Sequence, residues 1–146
     1  MSKNYDFTFA QREEGFDDHI EHSIRGYTNL LDDIVSLSRN FVEDETNVID
    51  IGCSTGKLTE AFVKSNQHFC KYANYIGIEL APSFFNELDA RHERMKNEYY
   101  WASVDFQKKD VRGYKFENCS LITSIFTLQF MPCLLYTSDA ADDLLC

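Results

Sequence analysis

Residues 47–62, NVIDIGCSTGKLTEAF, constrain the fold more than any other stretch. Val48-Ile49-Asp50-Ile51 is an apolar run with one acid, and Gly52 stops it at once. From Leu58 the apolar positions Leu58, Ala61 and Phe62 recur at three- and four-residue spacing, the period of a helix with one buried stripe. A buried strand that turns through glycines into an amphipathic helix is a βα unit, and the pattern recurs. Tyr75-Ile76-Gly77-Ile78-Glu79-Leu80 reads as a second strand ending in an acid. Pro82 opens the helix after it, where proline is tolerated in the first turn. Phe84, Phe85, Leu88 and Met95 line that helix's inner face.

Residues 102–106, ASVDF, give a third, weaker strand running to Asp110-Val111. Residues 120–130, SLITSIFTLQF, read as a fourth strand with the turn after it. Upstream, FDDHIEHSI from Phe16 reads as a helix that breaks at Gly26-Tyr27. A second helix follows, with Thr28 as its N-cap and Leu30, Leu31, Ile34, Leu37 and Phe41 as its buried stripe. Strands alternating with helices predict parallel βαβ units and an open α/β sheet.

At 146 residues there is room for one domain with a real core. The 44% apolar and 14% aromatic content excludes disorder and fibrous repeats. A formal charge of −10 repels phosphate backbones on average, which argues against direct nucleic-acid binding. No apolar run approaches the roughly 18 residues that span a bilayer, and the N-terminal stretch has no apolar core of an export signal. Five cysteines without CxxC pairing fit a reduced, cytoplasmic protein rather than a disulfide framework or a metal site.

Four chemistries use a glycine turn of this kind. A phosphate-binding P-loop would place a glycine at Ile51 and a hydroxyl at Leu58, so two of its four positions fail. Gly52-Cys53-Ser54-Thr55-Gly56 matches a nucleophile elbow, but the later histidines, His68 and His92, are not placed as a triad base. A dinucleotide fingerprint would need glycines at Ser54 and Lys57. The fourth is the acid-x-Gly-x-small-x-Gly turn that binds S-adenosylmethionine, and Asp50, Gly52, Ser54 and Gly56 occupy its positions. Bare backbone lets a ligand approach closely, and a helix N-terminus offers N–H groups to the methionine carboxylate. Asp50 can serve the ligand's ammonium group. Glu79 lies at the spacing expected of a ribose-binding acid, and Asp110, after the third strand, can accept from the adenine amino group. The blander alternative is that Glu79 and Asp110 cap helices.

Several segments taken together carry a more specific likeness: FDDHIEHSIRGYTNL, VIDIGCSTGKLT, YIGIELAPSF, VDFQKKDVR and ENCSLITSIFTLQF. Over Phe16 to Phe130 the chain resembles the carboxy-S-adenosyl-L-methionine (carboxy-SAM) synthase family. The resemblance implies a Rossmann-like class I methyltransferase fold, with strands 3-2-1-4 of a seven-stranded sheet present. It also implies cofactor contacts at Tyr27, at Gly52, Cys53 and Ser54, at Glu79 with Leu80, and at Asp110 with Val111. That family converts S-adenosylmethionine and prephenate to carboxy-SAM for wobble-uridine tRNA modification, without itself modifying the tRNA. A small-molecule substrate is therefore implied, no nucleic-acid or membrane partner is expected, and a homodimer stays open for the full-length protein.

Three departures bear on that reading. Arg25 stands where the family has proline, and Ile125 where it has a polar asparagine. The family's carboxylate-binding arginine belongs to a C-terminal half that the chain lacks. An ordinary S-adenosylmethionine-dependent small-molecule methyltransferase and an inactive cofactor-binding fragment remain alternatives, and no catalytic residue can be named.

The expected organisation is a weakly structured arm over 1–15, a partial cofactor-binding domain over 16–132 and a non-native tail over 133–146. Within that tail CLLYTSDAAD reads as a translated sequencing-library adapter. With half of the core partners missing, strand four is expected to be an unprotected edge, and the chain to aggregate or stay partly unfolded. His19 and His22 are expected on a solvated acidic helix face, Cys53 to matter for its size rather than its thiol, and Tyr99, Tyr100 and Trp101 to pack at a strand edge. Tyr27, at the helix break, suits a lid over the cofactor or, equally, simple packing.

Overall fold

A computed structural model describes residues 15–130. In chain order the elements are α1 (Phe16–Ser23), α2 (Tyr27–Ser38), β1 (Asn47–Ile51), α3 (Lys57–Asn66), β2 (Asn74–Glu79), a 3-10 turn (Pro82–Phe84) running into α4 (Phe85–Glu98), β3 (Ser103–Lys108), β4 (Cys119–Thr123) and a 3-10 turn at Leu128–Phe130. The four strands form one parallel sheet in the order β3-β2-β1-β4. The chain thus winds outward from β1 in both directions. The tips of β1 and β4 meet at Asp50↔Thr123, and β2 and β3 end together at Glu79↔Lys108.

The core lies between the sheet and the helices. Val48, Leu58, Phe62, Val63, Ala73, Tyr75 and Met95 are buried in one cluster with Leu31 and Val42. Phe84 and Leu88 are buried as the spacing of the fourth helix predicts, and Phe85 is half-buried. Tyr99 and Trp101 pack edge-to-face, 6.4 Å between centroids, against the same cluster. Tyr100 stays exposed.

Two expectations need correction. Thr28 does not cap α2: Gly26, in the left-handed region at φ 78°, precedes the helix, which starts at Tyr27. The stripe is also rotated. Leu31 is buried and Ile34 half-buried, but Leu30, Leu37 and Phe41 are exposed. The inward face follows Tyr27, Leu31, Ile34, Val35 and Ser38, and the buried Ser38 hydroxyl accepts from Asn66 Nδ2 at 3.1 Å. A polar pair thus sits where apolarity alone would place Leu37. The fourth strand, by contrast, is followed by a turn as expected. It ends at Thr123, and the chain turns at Phe126, whose φ of 53° no strand tolerates. Ile122 on β4 is 45% exposed. Among the described residues no helix is long and apolar enough to cross a membrane. The expected arm (except Gly15) and the adapter-like tail lie outside the described residues.

Candidate cofactor site

The site gathers at the carboxyl ends of β1 and β2, where an open parallel sheet places its ligands. Between β1 and α3 the backbone enters the left-handed region three times, at Gly52 (φ 70°), Ser54 (φ 51°) and Gly56 (φ 80°). Gly52 is required twice over. Besides its φ, a Cβ there would run into the Thr127 side chain, whose hydroxyl is bonded to the Ile51 carbonyl at 3.0 Å. A Cβ at Gly56 would meet the Phe106 ring at 2.8 Å, and one at Gly77 would lie 2.8 Å from Cys53 Sγ. The turn is bare partly because the protein's own side chains press on it.

Glu79 joins the second strand to this turn. Its Oε2 accepts the Ser54 backbone N–H at 2.8 Å, while Oε1 accepts those of Leu80 and Ala81 at 2.9 and 2.8 Å. A carboxylate has about four lone-pair sites, so the capacity left over lies on Oε2. Glu79 is 7% exposed. In this arrangement it can take one further hydroxyl directly, and a two-handed grip on a diol needs one of the N–H bonds on Oε1 to open.

Asp50 is deeper still, 3% exposed. Thr123 Oγ1 lies 3.0 Å from its Oδ1, and Thr59 Oγ1 lies 3.1 Å from its Oδ2. Burial pushes its carboxyl up to about 7, opposed by those two hydroxyls and reinforced by the negative charge of Glu79. The Cys53 thiol is buried and pushed far up, again by burial and then by Asp50 and Glu79. It therefore stays a neutral space-filler, as its contact with Gly77 suggests.

The Tyr27 ring lies 6.2 Å from that of Phe126, within the usual range for an aromatic pair. Burial, and then the charges of Asp17, Asp50 and Glu21, push its phenol up to about 12, so it is a hydrogen-bond donor at neutral pH. The N-terminus of α3 has no side-chain cap, which leaves its first-turn N–H groups for a ligand or water.

The structure thus brings Tyr27, Asp50, Gly52, Cys53, Ser54, Gly56 and Glu79 together around one turn. Leu80 contributes its N–H to Glu79 while its side chain is 58% exposed. Asp110 and Val111 follow β3, next to β2 in the sheet. Asp110 is occupied by Arg112, whose backbone N–H and Nε donate to it at 2.8 and 2.6 Å. Thr59, Thr123 and Thr127 escaped sequence reasoning. Only Thr123 had a readable signal, because a 3-2-1-4 order places the end of β4 beside Asp50. Among the described residues no cluster of His, Cys, Asp or Glu could hold a metal ion.

Known proteins share the fold and, in part, the sequence. The fold matches that of a Methanococcus maripaludis protein assigned as an S-adenosyl-L-methionine-dependent methyltransferase, with a TM-score of 0.58, 19% identity, and coverage of 84% of this chain and 53% of that one. It also matches SAM-bound CalS10, an amino pentose methyltransferase from Micromonospora echinaspora, at a TM-score of 0.51, 16% identity, and coverage of 82% and 45%. The fold is that of a class I methyltransferase. In sequence the chain is 31% identical over 133 residues to carboxy-S-adenosyl-L-methionine synthase of Vibrio campbellii, covering 90% of this chain and 52% of that protein. It is 31% identical over 127 residues to the synthase of Salmonella arizonae, covering 86% and 49%. The chain therefore spans about half the length of the curated relatives it matches. No family model matches it.

Proposed function

We propose that the chain carries the cofactor-binding part of a carboxy-SAM synthase, and that the pocket around residues 50–56 holds S-adenosylmethionine or carboxy-SAM. The observation that carries this reading is the Glu79 carboxylate bonded to the Ser54 N–H at the glycine turn, in a chain whose sequence relatives are carboxy-SAM synthases. The residues present fit such a ligand. Glu79 Oε2 has capacity for a ribose hydroxyl, the uncapped N-terminus of α3 suits the methionine carboxylate, and Asp50 supplies negative charge behind the turn for the ammonium group. Tyr27, Cys53, Leu80, Asp110 and Val111 complete the proposed contact set. Asp110, bonded to Arg112, keeps acceptor capacity on Oδ1 for an adenine amino group.

When bound, S-adenosylmethionine supplies a carbon activated by a neighbouring sulfonium. The chain's own contribution is alignment: the turn and the strand-tip acids fix the ligand's orientation, and Tyr27 with Phe126 limits water above it. Prephenate as the carboxyl source, the role in wobble-uridine tRNA modification, a cytoplasmic location and a homodimer belong to the proposal for the full-length protein.

The test is the full-length gene product with S-adenosylmethionine and prephenate, read by mass spectrometry. Carboxy-SAM and phenylpyruvate are the expected products, and absence of both overturns the synthase reading. One observation favours a second reading, an ordinary methyltransferase. Ile125 packs against the apolar core cluster where the synthase resemblance places a polar asparagine. Methyl transfer to an acceptor without carboxy-SAM would establish that alternative.

A further inference from the structure

The middle of the glycine turn is clasped from outside the sheet. Thr55 is buried, 1% exposed. Its hydroxyl donates to Asp17 Oδ1 at 2.7 Å, and its carbonyl accepts from Arg91 Nε at 2.6 Å. Arg91 closes the triangle, donating from Nη2 to Asp17 Oδ2 at 3.0 Å. Its Nη1 pairs with Glu60, which also accepts both terminal nitrogens of Arg94, at 2.7 and 2.9 Å. Four elements meet at one residue: α1 through Asp17, the turn through Thr55, α3 through Glu60 and α4 through Arg91. The Arg91, Glu60 and Asp17 side chains are only 14%, 13% and 22% exposed.

The turn needs such support. A left-handed conformation costs a residue with a side chain about 1–2 kcal/mol, and it persists only where its surroundings over-determine it. Glu79 holds Ser54 from the β2 side. Asp17 and Arg91 hold the next residue, Thr55, through its hydroxyl and its carbonyl. A guanidinium is the one cation whose planar fork can direct separate N–H groups to a carbonyl and two carboxylates at once. Lys57, the first residue of α3, also pairs with Glu21, a further tie between α1 and the end of the turn. Beyond α1 the chain turns at Gly26 into Tyr27, so the docking of α1 also sets where the Tyr27 ring stands.

We propose that Asp17 and Arg91 are positioning residues of the cofactor pocket, locking α1 to the glycine turn through Thr55 so that ligand binding and α1 docking are one event. This rests on the reading of the turn as an S-adenosylmethionine site. A clasp that only stabilised the fold would lower the unfolding midpoint and leave the affinity of the folded protein untouched. A positioning clasp changes affinity.

S-adenosylhomocysteine is titrated calorimetrically into the 146-residue chain and its variants, and hydrogen exchange of the α1 amides is followed with and without it. Arg91→Lys and Asp17→Ala are each expected to weaken binding about tenfold, the order of one charge-assisted hydrogen bond. The double variant should bind no more weakly than either single one, because both cut the same link. Thr55→Ser, which keeps the hydroxyl, should bind as the parent does, and Thr55→Val as Asp17→Ala does. Ligand should slow α1 exchange in the parent and fail to do so in Arg91→Lys, whose unfolding midpoint reports that it is folded. Unchanged affinity and unchanged α1 protection in variants of a parent that binds would overturn the clasp alone. A parent that unfolds cooperatively and does not bind overturns the cofactor reading and the clasp with it.

Discussion

Replacing Asp50 by asparagine should change how stability depends on pH, in a direction opposite to that of an ordinary acid. A salt-bridged carboxylate stabilises a fold as pH rises. Asp50 is buried among hydroxyls with no cation beside it, and burial moves its carboxyl from 3.8 to about 7. Between those values the folded chain holds a proton on Asp50 that the unfolded chain has released. Stability contributed by this group is full below 3.8, declines as pH rises, and is lost above about 7. The window is about three pH units wide, and each is worth about 1.4 kcal/mol, so the whole effect is on the order of 4 kcal/mol. An asparagine there would carry no such proton. It would keep an acceptor for one threonine hydroxyl, and the other must reorient, a pH-independent cost of about 1 kcal/mol. Urea unfolding followed by circular dichroism, at low micromolar concentration and at half-unit steps from about pH 4.5 to 8, separates the two. The stability difference should move in favour of Asp50→Asn by about 3 kcal/mol across that range and level off above about pH 7. Parallel curves would refute the buried, uncompensated carboxyl.

Other consequences follow from the same geometry. Gly52→Ala should cost at least about 2 kcal/mol, from its left-handed φ and the contact with Thr127. Adding Thr127→Gly should recover the steric part, and unfolding midpoints check both. Ile122, 45% exposed on the edge strand β4, should drive concentration-dependent association of the chain. Ile122→Lys should reduce light scattering at equal concentration, because a charge blunts an open edge; equal scattering would mean that association uses another surface. If Asp50 serves the ligand's ammonium group, binding of S-adenosylmethionine near pH 6.5 should release protons, seen as a binding heat that changes with buffer ionisation enthalpy. Asp50→Asn should abolish that release.

The centre of the sheet was readable because β1 and β2 are short apolar runs that stop at glycine or acid. The helices after them switch to a period near 3.6, and the two periods cannot be confused around Gly52. The acids at the strand tips were legible for the same reason, since a charged residue closing an apolar run marks where the strand leaves the core. The face of α2 was not legible. Leu30, Leu37 and Phe41 are as apolar as Leu31, and the stripe that wins includes Ser38 because Asn66, on another helix, supplies its partner. Long-range polar pairing leaves no periodic trace. Asp17, Thr55 and Arg91 likewise lie far apart in the chain, and nothing local marks them as neighbours. The glycine turn shows a further limit. Its bareness suggests room for a ligand, whereas Thr127 and Phe106 occupy much of the space a side chain would take.

On the proposed reading, the turn at residues 52–56 and the carboxylate of Glu79 together bind an adenosyl ligand. Calorimetric titration of S-adenosylmethionine into the chain, beside Glu79→Gln, tests it most directly. The parent should bind saturably and one-to-one, and the variant at least about tenfold more weakly, since an amide offers one acceptor atom where the carboxylate offers two. No binding by the parent, or equal binding by the folded variant, would contradict it.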